Sequence, residues 1–231
     1  MNWAEKINLF INSYAGKSYG ELHQDLFVLG LLECMHNGYF VEFGTMDGRY
    51  ASNTYLLENK YGWNGIVCEP GRMFHPYLSG NRQCIVDYRA VTGRTGDQLM
   101  FKEVDEHNGL SGLVDYFHEE EHHTKRRNAS PGAQYLVDTV SLNDLLIEHN
   151  APKHINYISI DTEGSEPEIL KNFDFTGYEI DVFTVEHNHV EKNKTIVREI
   201  LIDQGYTLCE YDQPRYEDCF VHNNILKGLT K

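Results

Sequence analysis

The sequence predicts an α/β fold, an open and mostly parallel sheet with helices on both faces, closed by a C-terminal antiparallel hairpin. Three observations lead there. Short apolar or β-branched runs recur at Tyr39–Phe43, Ile66–Cys68, Ile155–Ile160 and Tyr178–Val185, as buried strands do. Segments with helical spacing of apolar residues separate them, which is the alternation a parallel sheet requires. Each run also carries an acid at or near its carboxyl end, namely Glu42, Glu69, Asp161 and Glu186. An open parallel sheet binds ligands at that edge, so these acids should ring one crevice.

Composition bounds the classes of function. The chain has 231 residues, 41% hydrophobic and 12% aromatic, enough for one large α/β domain over 1–231 with a full core. Lys and Arg total 20 against 35 Asp and Glu, a formal charge of −15. That field opposes polyanions, which argues against nucleic acid and anionic membrane surfaces as partners. Cys34, Cys68, Cys84, Cys209 and Cys219 form no C-x-x-C pair and read as reduced, buried thiols of a cytoplasm-like compartment. Met1–Lys6 lacks the basic region and apolar core of a signal peptide, and no run approaches the roughly 18 apolar residues of a membrane span.

Taken in order, residues 3–14 and 22–35 have helical rhythm, so 1–36 is an N-terminal pair of helices preceding the first strand. Gln24 and Asp25 begin the second, where they face either a ligand or solvent. Gly38–Tyr50 is the stretch around which the rest is organised. After the strand at Tyr39–Phe43, Gly44 and Gly48 make a turn that opens onto a helix over Ala51–Lys60, whose first N–H groups are free for a ligand. The G-x-G-x-x-G fingerprint lacks its middle glycine, leaving a pyrophosphate no seat. With Glu42 before it, this glycine pair suits a cofactor with an amino-acid end and a nucleoside end. Glu69 stands about 20 residues further on, the distance at which a carboxylate accepts both hydroxyls of a ribose.

Met73–Leu78 is then a short helix and Gln83–Val91 a third strand, with Arg89, Ala90 and Val91 at its end. Leu99–Glu103 can pair as a strand. The segment 104–134 is the most polar piece and reads as a lid-like insertion. Within it, His118 and His122 are spaced to chelate a metal with Glu119 or Glu121, but a solvated charged helix is the preferred reading because no apolar wall surrounds them. Val137–Val140 is a short extended piece, and Ser141 caps a following helix. Asp161–Glu168 holds four carboxylates in eight residues, like charges that repel. Ser165 and Glu168 read as a capping box, which leaves Asp161 and Glu163 with no structural role. A helix at Thr195–Asp203 and strands at Thr207–Tyr211 and Cys219–Asn223 close the chain.

Several stretches together resemble an FkbM-type methyltransferase: Gln24–Val28, Gly38–Gly44 through Asn53–Tyr55, Gly62–Pro70, Ile158–Glu166, Val185–Asn188 and Asp218–Val221. They span 24–222 in the family's order. The resemblance implies a class I methyltransferase, Rossmann-like sheet of about seven strands, S-adenosylmethionine as cofactor, and methylation of an oxygen, often a sugar hydroxyl. It places Glu42, Gly44, Thr45, Gly48, Asn53, Glu69, Pro70, Ala90 and Asp161 at the cofactor. Asp161, Glu163 and His187 are the expected catalytic residues. Met46 stands where smaller residues are usual, and 104–134 matches no family pattern.

Two mechanisms follow for removing the acceptor's proton. His187 takes it directly, or Mg²⁺ or Mn²⁺ held by Asp161 and Glu186, with His187 or Asn188 completing the set, lowers the hydroxyl's pKa. The metal is favoured, since it explains acids at the ends of neighbouring strands. The acceptor is a small molecule or glycan. A nicotinamide-dependent oxidoreductase on the same sheet and a non-catalytic interaction module remain the alternatives.

Overall fold

The structure, a computed structural model, describes residues 2–105, 108–117, 124–209 and 216–229. The run His118–His123, with its expected histidine pair, lies outside them.

The chain opens with α1 (Trp3–Tyr14), started by a reciprocal cap: Asn2 Oδ1 accepts from the Glu5 N–H at 2.8 Å while Glu5 accepts from the Asn2 N–H. Helix α2 (Gln24–Leu31) packs on it and delivers the chain to β1 (Tyr39–Phe43). There follow α3 (Tyr55–Tyr61), β2 (Asn64–Cys68), α4 (His75–Asn81) and β3 (Ile85–Asp87). A second group comprises β4 (Ala90–Thr92), β5 (Gln98–Lys102), β6 (Gly112–Leu113), α5 (Thr124–Ala129) and β7 (Gln134–Ser141). The chain then continues through α6 (Leu142–Glu148), β8 (His154–Ile160), α7 (Glu166–Lys171), β9 (Glu179–Glu186), α8 (Glu191–Asp203), β10 (Tyr206–Cys209), β11 (Glu217–His222) and α9 (Asn223–Leu229).

The main sheet has seven strands in the order β10-β11-β9-β8-β1-β2-β3. It is mixed: β3, β2, β1, β8 and β9 are parallel, and β11 runs antiparallel to both β9 and β10. The C-terminal hairpin therefore forms as expected, with its second strand inserted against β9. Alternation along β1 sends Val41 and Phe43 to one face, packed with α6, α7 and α8, and Phe40 to the other, packed with α1 to α4. Helices cover both faces for that reason. No helix among the described residues is long and apolar enough to cross a membrane.

Three local expectations are corrected. The single strand over Gln83–Val91 is two, because the Asp87 carboxylate accepts from the Arg89 N–H at 3.0 Å and turns the chain there. The second half, β4, joins a separate four-stranded sheet, β4-β7-β5-β6, which the sequence did not announce. At α7, Ser165 makes no side-chain cap; its hydroxyl donates to Val91 O, tying that helix to β4. The Glu166 carboxylate instead accepts from the Thr162 and Gly164 N–H groups and the Thr162 hydroxyl, at 2.9–3.0 Å. This acid thus shapes the loop that carries Asp161 and Glu163.

Candidate active site

Register brings the strand ends level. Phe43 pairs with both Cys68 and Ile160, and Ile160 pairs with Val185. The next residue of each strand, Gly44, Glu69, Asp161 and Glu186, therefore emerges on one rim. They line a cavity of about 320 Å³, within the usual size of a small-molecule site. Gly44 has φ +72°, and a Cβ there would run into the Asp161 carbonyl oxygen. Only glycine lets β1 and β8 end this close together.

One end of the cavity has apolar walls from Phe74, Val91 and Phe101, with Arg89 and Ala90 beside them. Glu69, 4% exposed, accepts from the Met46 N–H at 2.9 Å through one oxygen and from the Gly71 N–H at 2.8 Å through the other. Each oxygen keeps a lone pair for a further donor. Burial pushes this carboxyl up to about 8.

The other end is acidic. Asp161, Glu163 and Glu186 bring carboxylate oxygens within 4.8 Å of one another. Asp161 and Glu186 share a hydrogen bond; burial raises both carboxyls, Asp161 to about 6 and Glu186 well above its ordinary range, where the Asp161 charge adds to the effect. Such a pair holds a proton between its members. Glu163 is ion-paired with Arg127, and the Asn188 amide donates to Glu163 at 2.8 Å and to Glu186 at 2.7 Å.

Of the residues expected at the cofactor, Gly44, Asn53, Glu69, Pro70, Ala90 and Asp161 line the cavity. Glu42, Thr45 and Gly48 do not. Glu42 lies one residue inside β1 and shares its face with Phe40, so it points beneath the turn. There it accepts from the Asn53 N–H (2.6 Å), the Thr54 (2.6 Å), Ser52 (3.0 Å) and Thr45 (3.2 Å) hydroxyls, and Arg82 Nη1 (3.1 Å). Gly48 packs over Arg82.

His187 departs from the expectation for both of its roles. It is 4% exposed and faces away from the cavity, with Nε2 3.7 Å from Asp218 and Nδ1 accepting from the His189 N–H at 3.1 Å. Alternation explains this: Glu186 and His187 are successive residues and project to opposite sides. Glu163 takes its place in the acid cluster.

Sequence reasoning missed Glu21, Tyr216 and Glu217, which line the acidic end, and Arg127. Glu217 stands in register with Glu186, a like-charge pair visible only once the strands are aligned. The one signal for Arg127 was its place in the sole basic run, Lys125–Arg127.

Residues 42–208 match the Methyltransferase FkbM domain. The chain belongs to the FkbM methyltransferase family. No curated protein matches it. Among solved structures it is similar to a precorrin-6y C5,15-methyltransferase from Geobacter metallireducens, at 10% identity and TM-score 0.45 over 85% of this chain and 87% of that one. It is also similar to M. capricolum TrmK in complex with S-adenosylhomocysteine, at 14% identity and TM-score 0.40 over 85% and 67%. A methyltransferase from Pyrococcus furiosus aligns at 12% identity and TM-score 0.39 over 83% and 79%.

S-adenosylmethionine is the cofactor that FkbM membership brings, and the residues of the cavity fit it. The spare lone pairs of Glu69 suit ribose hydroxyls, the apolar walls suit an adenine, and the carboxylates at the far end suit a cationic sulfonium and ammonium. Asn53 adds an Oδ1 that is buried without a hydrogen-bond partner, an acceptor awaiting a donor.

Proposed function

We propose that this FkbM-family chain transfers a methyl group from S-adenosylmethionine to a hydroxyl of a sugar or other glycan. The observation that carries the reading is the Asp161–Glu186 carboxyl pair, raised by burial and level with Glu69 on one cavity rim. When bound, the cofactor supplies an electrophilic methyl on a sulfonium, which leaves as the neutral thioether.

Everything else falls to the chain's own side chains. Glu69 orients the nucleoside by accepting hydroxyl donors, and Phe74, Val91 and Phe101 keep water from it. The Asp161–Glu186 pair accepts the acceptor's hydroxyl proton as the new C–O bond forms and the C–S bond breaks. A carboxyl raised to about 6 is a better base near neutral pH than an ordinary one. Family membership favours this cofactor over a nicotinamide.

The oxygen ligands that a divalent ion such as Mg²⁺ or Mn²⁺ would need are offered by Asp161, Glu163 and Glu186, of which Glu163 is already paired with Arg127. Such an ion would lower the acceptor hydroxyl's pKa. The five free cysteines support a reducing, cytoplasm-like compartment.

The test is conversion of S-adenosylmethionine to S-adenosylhomocysteine with a panel of neutral glycosides, with the methylated product identified by mass spectrometry. Turnover that requires a glycoside supports the reading. Tight cofactor binding with no methylated glycoside would sink the sugar acceptor and leave the cofactor assignment in place.

A further inference from the structure

The Asp161–Glu163–Glu186 cluster has the composition of a cation site, yet its space is already contested from within the chain. Arg127, on α5, is 0% exposed, and its guanidinium pairs with Glu163. The same side chain donates from Nε to Leu110 O at 2.9 Å and lies 4.6 Å over the Phe117 ring. Its own carbonyl accepts from Lys102 Nζ. A guanidinium held on this many sides is fixed in place rather than adventitiously near an acid.

Asn188 fills the gap on the other side. Its Nδ2 donates to Glu163 and to Glu186 together, so one amide already engages two of the three carboxylates. It does so from a left-handed backbone, φ +46°, an unfavourable conformation that these two bonds help hold.

We infer that Arg127 is the resident cation of this cluster, and that a divalent ion and the Arg127 guanidinium exclude one another there. A dication beside Glu163 would face a buried like charge and would have to displace donors from that carboxylate. Arg127 is on this account a positioning residue: it fixes Glu163, which through Asn188 fixes Glu186. The inference rests on the proposed methyl-transfer site only in taking these acids as part of it.

Chelator-treated protein, free of cofactor and acceptor, is titrated with Mn²⁺ and the bound ion read by electron paramagnetic resonance. Wild type and Arg127→Lys are expected to show no stoichiometric ion. Arg127→Met is expected to gain one, bound about tenfold tighter or more than by wild type, and to lose it again when Asp161→Asn is added. One Mn²⁺ per wild-type chain, abolished by Asp161→Asn, overturns the inference. So does a folded Arg127→Met that binds no more than wild type. Should Arg127→Met not fold, Arg127→Gln takes its place under the same two criteria. Methyl transfer measured on the same samples separates the two readings, since a protein inert toward every glycoside but following this pattern of Mn²⁺ uptake would sink only the proposed reaction.

Discussion

Glu42 and Asp161 stand at the ends of adjacent parallel strands, and in the sequence they read alike. In the fold they are opposites. Glu42 is 2% exposed, accepts from five donors and pairs with Arg82. Asp161 is half-buried, opens onto the cavity and has another carboxyl as its neighbour. Two residues of depth separate the two outcomes, since Glu42 is level with Ser159 and Asp161 with Gly44. Glu42 lies within β1 and points to a helix layer, whereas Asp161 lies just past β8 and points to the rim. An acid at a strand end thus becomes a keystone when donors surround it, and a reactive group when they do not.

The largest effect that would break this contrast is on turnover. Asp161→Asn removes the proton acceptor and should lower methyl transfer by about 10²–10⁴-fold while leaving the melting temperature near that of wild type. S-adenosylhomocysteine formation and thermal melting, measured together, check it. A large loss of stability would place Asp161 with Glu42. The converse holds at Glu42, where Glu42→Ala takes from the buried Arg82 one of its two carboxylate partners, leaving Glu58, and removes the acceptor of four further donors; it should cost about 3 kcal/mol of folding stability, read by urea titration. Adding Arg82→Met should recover little of that loss, because it takes the cation from Glu58 as well.

Asp218 sharpens the contrast from a third position. Buried beside Arg198, which donates at 2.6 and 2.9 Å, it is held down to about 2 by those bonds and by His187, against the opposing effect of burial. A depressed carboxyl stabilises the fold above its unfolded pKa, and that contribution disappears as pH falls through the folded value. The drop from 3.8 to about 2 corresponds to about 2 kcal/mol. Asp218→Asn should therefore be destabilised by about that much at pH 7, with the difference closing between about pH 4 and 2. His187 would contribute through this pair rather than through catalysis, and His187→Ala should reduce turnover far less than Asp161→Asn.

How much of this was legible follows from range. Strands β1, β2, β8 and β9 and the acids Glu69, Asp161 and Glu186 could be read because apolar runs and their flanking charges are local signals. The placing of Glu42 turned on depth, two residues short of the level of Asp161, and that of His187 on parity at a strand end, where a boundary shift of one residue flips the side chain. The β4-β7-β5-β6 sheet was hidden because its strands pair across long separations and are only partly apolar. Arg127 was hidden more deeply: a buried arginine looks like any surface basic residue until its partner Glu163, 36 positions away, is known.

The smallest effect concerns Glu69, which differs from Glu42 in being buried with only two donors and no cation. Its carboxyl is pushed up to about 8 by burial, so in the free protein it is protonated at pH 7. A raised carboxyl contributes stability below its unfolded pKa that is lost as pH rises through about 8. Ribose hydroxyls donating to Glu69 favour the ionised form, so binding should release a proton in that range. Affinity for S-adenosylhomocysteine should then rise by about tenfold per pH unit, about 1.4 kcal/mol, between about pH 6 and 7 and flatten above 8. Calorimetry from pH 6 to 9 reads this directly, and Glu69→Gln should bind more weakly at pH 8 with a flat profile. A wild-type profile that is itself flat would mean that Glu69 keeps its proton in the complex, and that the ribose is gripped by other groups of the rim.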